Sequence, residues 1–149
     1  MPSLRTAAVV SALVLTTAAA AIAAPASGGI NWVDDLATAK AASDRTGKPM
    51  LIVFEAGYCG YCKRLKGEVF ANPQVSRYIA EGFVPVRINL DDASNQRAAQ
   101  ILEVQTLPCS VVLNSDADQL ARIRGFKDAK PYFQELAAAR KLQSRIASR

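Results

Sequence analysis

Two cysteines three residues apart, Cys59 and Cys62, are the side chains of this sequence best suited to chemistry. A dithiol at that spacing closes a small ring and can cycle between disulfide and thiol pair. Exchange needs one thiolate to attack and a second thiol close enough to resolve the mixed disulfide. The apolar run Met50-Leu51-Ile52-Val53-Phe54 feeds into the pair and a helical pattern follows it. The cysteines therefore stand at a strand-to-helix junction, where the free N–H groups and dipole of the first helical turn favour an anion on the first sulfur. On this geometry Cys59, at the helix entrance, is expected to be exposed and to attack. Cys62, one turn in, is expected to be more buried and to resolve. Gly60 lets the backbone bend without crowding an incoming chain, Tyr61 shapes the approach, and Lys63, Arg64 and Lys66 add positive charge nearby.

Other uses of a Cys-x-x-Cys pair are a permanent disulfide, half of a zinc site and a copper(I) dithiolate. The sequence has no histidine. That removes Cys–His nucleophile pairs, His-containing zinc sites and a Cys-x-x-Cys-His haem attachment, where Lys63 stands in the histidine place. Neither a second cysteine pair nor a histidine completes a metal set, so no metal and no cofactor beyond the dithiol itself is expected. Cys109 is the odd cysteine.

The elements that must position the dithiol follow from pattern. The 149 residues amount to about one domain, and 50% of them are apolar, enough for one core. Asn31 to Asp34 reads as a capping box opening a helix to about Thr46, with Trp32, Leu36, Ala39 and Ser43 on one face and Gly47 as the stop. Residues 50–56 read as a strand buried on both faces. A helix from Gly60 to about Phe70 turns Leu65, Val69 and Phe70 inward. Asn72-Pro73 restarts a helix, with Val75, Tyr78 and Ile79 on the core side and Gly82 at its end. Residues 83–90 read as a strand whose Pro85 must sit where no ladder donor is needed. Ser94 is expected to cap a helix through Glu103, with Ala98, Ile101 and Leu102 inward. After the break at Thr106-Leu107-Pro108, residues 109–114 and 119–124 form a hairpin around an Asn114–Asp118 turn. The last helix, capped by Asp128, covers the sheet with Tyr132, Phe133, Leu136, Ala139 and Leu142. This order predicts an α/β fold with a mixed central sheet between helical layers.

The amino-terminal residues 1–23 read as a cleaved secretory signal peptide: Arg5, then an Ala-rich apolar run ending in Ala21-Ile22-Ala23, with cleavage after Ala23 or Ala26. The alternative is an uncleaved anchor, but the run is short of the ~20 residues a spanning helix needs. Residues 24–30 read as a linker and 31–149 as the domain, exported to the periplasm or beyond and not inserted in the membrane after cleavage. The formal charge is +5. Its one basic bias, Arg140, Lys141, Arg145 and Arg149, suits a helix carboxy-terminus and lacks the aromatic or basic stripe of a nucleic-acid surface.

The stretch Phe54-Glu55-Ala56-Gly57-Tyr58-Cys59-Gly60-Tyr61-Cys62-Lys63, with Leu107-Pro108 and Gly125-Phe126 further on, resembles the thioredoxin superfamily. More narrowly it is similar to exported thioredoxin-like proteins related to the carboxy-terminal domain of the membrane thiol:disulfide interchange reductase. The Trp32 helix ahead of the first strand and the Asn72-Pro73 break fit that group, and the resemblance spans about residues 31 to 142. It implies a thioredoxin fold with an extra amino-terminal helix. It also implies a cis Pro108 beside the dithiol, and substrate contacts at Tyr58, Gly60, Tyr61, Leu107 and Pro108, with Leu107 pairing strand-like to an extended substrate. The activity implied is thiol–disulfide exchange on protein or small-molecule thiols and disulfides, as a reductase fed by a membrane-embedded thiol reductase. A disulfide isomerase or oxidase, and a thiol-dependent metal carrier or chaperone, are the rival readings. Three departures stand out. Val53 occupies a position where many thioredoxins carry a buried Asp, so Glu55 is either a substitute proton relay or a solvated carboxylate at a strand end. Gly60-Tyr61 matches the dipeptide of the periplasmic disulfide isomerase rather than Gly-Pro. Cys109 directly follows Pro108, either as a small buried core residue or as a regulatory thiol within reach of Cys59 or Cys62.

Overall fold

Five successive apolar residues can all be buried only in a strand with neighbours on both edges and cover on both faces. That is the position of Met50–Glu55, which forms β1 in the computed structural model, where residues 29–148 are described. Met50 to Phe54 are each at most 4% exposed. The expected signal peptide, its cleavage sites and most of the linker lie outside the described residues.

In chain order the elements are α1 (Leu36–Thr46), β1, α2 (Gly60–Arg64) running into a π-helical turn (Leu65–Val69), α3 (Pro73–Gly82) and β2 (Val84–Asn89). A 3-10 turn (Ala93–Asn95), α4 (Gln96–Ile101), β3 (Cys109–Leu113), β4 (Gln119–Arg124) and α5 (Ala129–Ala147) follow. The sheet order is β2-β1-β3-β4. β2 is parallel to β1, while β3 and β4 are antiparallel to their neighbours. Strand alternation sorts the core into two clusters. Leu51, Val53, Val112 and Ile123 meet Leu65, Val69, Val75, Ile79, Tyr132 and Leu136 on one face. Ile52, Phe54, Val86, Ile88 and Val111 meet Ala39 of α1 and Ala99 of α4 on the other. A mixed sheet with helices on both faces and an additional helix at its amino end is the architecture expected.

Caps explain where the helices start. Asn72 Oδ1 accepts the N–H groups of Gln74 and Val75 at 3.0 and 3.2 Å, with Pro73 in the first turn, as the sequence implies. Gly47 closes α1 with its N–H on the Ser43 carbonyl. Two helix starts differ from expectation. α1 begins at Leu36 and is capped by Asp35, which accepts the Thr38 N–H at 2.8 Å. The Asn31–Asp34 stretch is drawn out instead, because Val33 bridges to β2: its N–H donates to Pro85 O at 2.9 Å and its carbonyl accepts Arg87 N–H at 2.8 Å. Trp32 therefore precedes the helix and packs its ring 5.0 Å from Phe70. The same bridge answers the question posed by Pro85. Its carbonyl faces the outer edge, so its nitrogen does too, and no donor is missing toward β1.

Asp92, not Ser94, caps the turn before α4, accepting the Ser94 N–H at 2.9 Å. α4 stops at Ile101 rather than Glu103, because Glu103 takes a left-handed backbone (φ 48°) that ends the helix. Ile101 consequently faces solvent at 68% exposure, and Ala99 takes the buried position. On α5, Tyr132, Leu136 and Ala139 are buried as expected, whereas Leu142 is 40% exposed, since the helix has run past the sheet by then.

Candidate active site

β1 ends at Glu55, and the three residues after it carry the chain from the sheet to α2. The turn is pinned at two points. Gly57 N–H donates to Asp91 Oδ2 at 2.6 Å, and Cys59 N–H donates to the Ala56 carbonyl at 3.1 Å. A Cβ on residue 57 would sit 2.9 Å from that carboxylate oxygen, so only glycine lets Asp91 hold the loop from above.

Cys59 is the N-cap of α2, with extended backbone (φ −79°, ψ 103°). Its Sγ accepts the Cys62 N–H at 3.1 Å, doing with sulfur what a Ser or Asp oxygen does at an ordinary N-cap. Cys59 and Cys62 are joined as a disulfide with Cα atoms 5.2 Å apart. The expected exposure of Cys59 is corrected: it is 8% exposed and Cys62 5%. In the disulfide both sulfurs are covered by Ala56 and Leu107, with which they form one small cluster. What separates them is access. Cys59 borders a groove of about 470 Å³, and Cys62 does not. Tyr58, Gly60 and Tyr61 form the near wall, Val104 to Leu107 the far wall, and Leu90 closes one end. Tyr58 and Tyr61 stand out at 82% and 58% exposure, and a Cβ on Gly60 would meet nothing.

The Leu107–Pro108 peptide is cis. Pro108 is buried, and its carbonyl accepts the Gly125 N–H at 2.8 Å, which ties the proline loop to the end of β4. Tyr58, Cys59, Gly60, Tyr61 and Leu107 line one groove, with Cys62 bonded to Cys59 behind it and Pro108 next to Leu107 in the chain. Glu55 and Cys109 are placed elsewhere. The Glu55 carboxylate lies 3.8 Å from the Arg87 guanidinium, its one ion pair among the described residues, and Arg87 in turn lies over the Trp32 ring. Val53 is 1% exposed in the core.

Cys109 is 2% exposed and belongs to the cluster of Ile52, Phe54 and Val111, not to that of the disulfide. Burial pushes its thiol pKa above the ordinary 9.0, against a smaller opposing pull from Arg122. Since the thiolate is the reactive form, Cys109 in the folded, oxidised protein is expected to resist iodoacetamide at pH 8 and to react once urea unfolds the chain. Mass spectrometry of the alkylated protein checks this. Rapid labelling without denaturant would show that the thiol is within reach of outside reagents.

Three features were not legible in advance. Asp91 is an unremarkable acid in a turn, and only the tertiary approach of residue 57 gives it a task. The far wall, Val104 to Thr106, was hidden because α4 was expected to run through Glu103. Arg64 reads as a solvated cation, yet it makes a two-pronged ion pair with Glu68 at 2.8 and 2.9 Å and lies 4.3 Å over the Phe126 ring.

Among the described residues no cluster of three or more His, Cys, Asp or Glu side chains is positioned to hold a metal ion, and no helix is long and apolar enough to cross a membrane. A family model described as thioredoxin-like matches residues 31–115. The chain is 27% identical over 110 residues to the thiol:disulfide interchange protein DsbD of Escherichia coli K12, covering 72% of this chain and 19% of that protein. It thus spans about a fifth of the length of such relatives. Among solved structures it is similar to a DsbH oxidoreductase (TM-score 0.68, 19% identity, 89% of this chain and 96% of that one). It is also similar to the oxidised carboxy-terminal domain of Neisseria meningitidis DsbD (TM-score 0.57, 22% identity, 69% and 94%).

Proposed function

Because this chain belongs to the thioredoxin-like family, we propose that it is a thiol–disulfide oxidoreductase whose working group is the Cys59–Cys62 pair. The observation that carries the reading is the asymmetry of the two sulfurs: the one that caps α2 borders an open groove, and its partner does not. In the reduced protein the Cys59 thiolate attacks one sulfur of a substrate disulfide, whose bond breaks as the Cys59–substrate bond forms. The departing sulfur takes a proton. Cys62, as thiolate, then attacks Cys59 Sγ, releases the second substrate thiol and regenerates the internal disulfide. Two electrons pass to the substrate, and a dithiol donor must return them. The Cys62 N–H that now points at Cys59 Sγ also favours negative charge there. Leu107 and cis Pro108 form the edge against which an extended substrate pairs, with Tyr58, Gly60 and Tyr61 opposite. Glu55 takes no part in this scheme.

The test is Cys62→Ser. Without the resolving thiol the first step goes forward and the second cannot, so a disulfide-linked adduct through Cys59 is expected to accumulate and to fall apart with dithiothreitol. Absence of any adduct with a model protein disulfide would remove the reading. The direction we assign is reduction, in the periplasm or an equivalent exported location, with a membrane-embedded thiol reductase as donor. A reduction potential near the roughly −270 mV of a reducing dithiol is expected, and a value near about −120 mV would assign oxidation instead.

A further inference from the structure

The groove beside Cys59 is walled by uncharged side chains only: tyrosines, glycine, leucines, valine, glutamine and threonine. Of the charged groups close to the site in sequence, Lys63 and Lys66 are exposed and do not line the groove, and two others are engaged. Asp91 accepts the Gly57 N–H, and the Arg64 guanidinium is held by both oxygens of Glu68. A disulfide whose flanks carry carboxylates finds no cation in these walls to pair with them, whereas apolar flanks find apolar side chains to cover them.

One wall depends on a brace. A tyrosine that is 58% exposed keeps a fixed orientation only if something holds its ring. Tyr61 lies 6.1 Å from Phe126, centroid to centroid, with the rings tilted by 32°. The Arg64 guanidinium carbon lies 4.3 Å from the Phe126 centroid and 5.8 Å from that of Tyr61. Glu68 fixes the plane of the guanidinium from its other side. Phe126 directly follows Gly125, whose N–H holds the Pro108 carbonyl. The stack therefore connects the helix that bears the dithiol with the loop that bears the cis proline.

We propose that Arg64 is a positioning residue which fixes Tyr61 as an apolar wall, and that the groove so braced selects disulfides flanked by uncharged, apolar residues of a polypeptide over small charged ones such as glutathione disulfide. This rests on the oxidoreductase reading and narrows its substrate. An ordered aromatic wall gains contact with an apolar flank at little entropic cost, whereas a loose one must be ordered each time a substrate arrives.

The experiment compares kcat and KM for two substrates, with dithiothreitol as reductant. One is an end-blocked peptide disulfide with leucine and phenylalanine flanks, and the other is glutathione disulfide. The wild type is expected to prefer the peptide by about 100-fold in kcat/KM. Arg64→Ala is expected to lower that preference about tenfold through a higher KM for the peptide, with kcat held within about twofold. Arg64→Lys keeps the charge but not the flat stacking surface, so it is expected to behave like Arg64→Ala. Phe126→Leu, which removes the brace from the other side, gives the same result and is the variant to use if Arg64→Ala fails to fold. An unchanged ratio in these variants, a wild type that prefers neither substrate, or full rescue by lysine overturns the proposal while leaving the oxidoreductase reading intact. A wild type that turns over neither substrate overturns both.

Discussion

Cys59→Ser is expected to lose turnover of a model disulfide by about three orders of magnitude or more, the scale on which removal of an attacking nucleophile is felt. A serine hydroxyl in the same place is not ionised and cannot form a disulfide. The variant also lacks the internal disulfide, so loss of activity by itself would not distinguish lost chemistry from lost structure. Cys62→Ser supplies the control. It lacks the same cross-link, yet it keeps the sulfur that borders the groove, and so completes the first half-reaction. The expected pattern is one variant that forms no adduct and another that forms it and stalls. Both should unfold at the same urea concentration as the reduced wild type. Activity in Cys59→Ser above roughly a tenth of wild type would place the reacting sulfur elsewhere.

The largest effect on stability is expected at Tyr132. This side chain is fully buried, stands edge-on to Phe70 at 5.6 Å, and bonds through its hydroxyl to Ser110 Oγ at 2.8 Å. It locks α5 to β3 across the face that also receives Leu65 and Val69. Tyr132→Ala leaves a ring-sized cavity and an unpaired Ser110, and is expected to cost about 3–5 kcal/mol. Tyr132→Phe keeps the ring and strands only the Ser110 hydroxyl, at about 1–3 kcal/mol. Adding Ser110→Ala to Tyr132→Phe is expected to recover most of that loss, since both polar partners are then gone. Urea midpoints of the oxidised proteins measure all three. Additive losses in the double variant would mean that the two hydroxyls are not partners.

The same tyrosine sets an alkaline limit. Burial raises its pKa far above the ordinary 10.0, against a weaker opposing effect of the bond with Ser110. The unfolded chain therefore gives up this proton before the folded chain does. Folded protein holds more protons in that interval, so stability falls as pH rises above about 10 and is fully present below it. In Tyr132→Phe this part of the alkaline decline is expected to vanish.

Residue by residue, what could be read from the chain depended on whether its cause was local. The Asn72-Pro73 start of α3, the glycine stop after α1 and the hairpin turn at Asn114–Asp118 are settled by groups within four positions of one another, and all three are legible in the sequence. The burial of β1 follows from its unbroken apolar run. The misplaced starts of α1 and α4 have a common origin. In each, two polar residues compete for the cap, and the choice between them was made elsewhere: by Val33 joining β2 in the first case and by the Asn89–Asp92 turn in the second. Periodicity alone puts Ile101 in the core, and the early end of α4 at Glu103 turns it out.

The dithiol, its place at a helix entrance, and the strand that carries it there were fixed by residue type and spacing, because a three-residue interval and a five-residue apolar run leave the backbone few choices. Tertiary structure alone decided that both sulfurs of the disulfide are covered, that Asp91 holds the loop ahead of them, and that Arg64 and Phe126 brace Tyr61. Those contacts join residues as many as 65 positions apart (from 61 to 126), and no periodicity or propensity of either partner encodes the distance between them. They exist only after β3 and β4 have been laid beside β1 and the two ends of the sheet's cover have met.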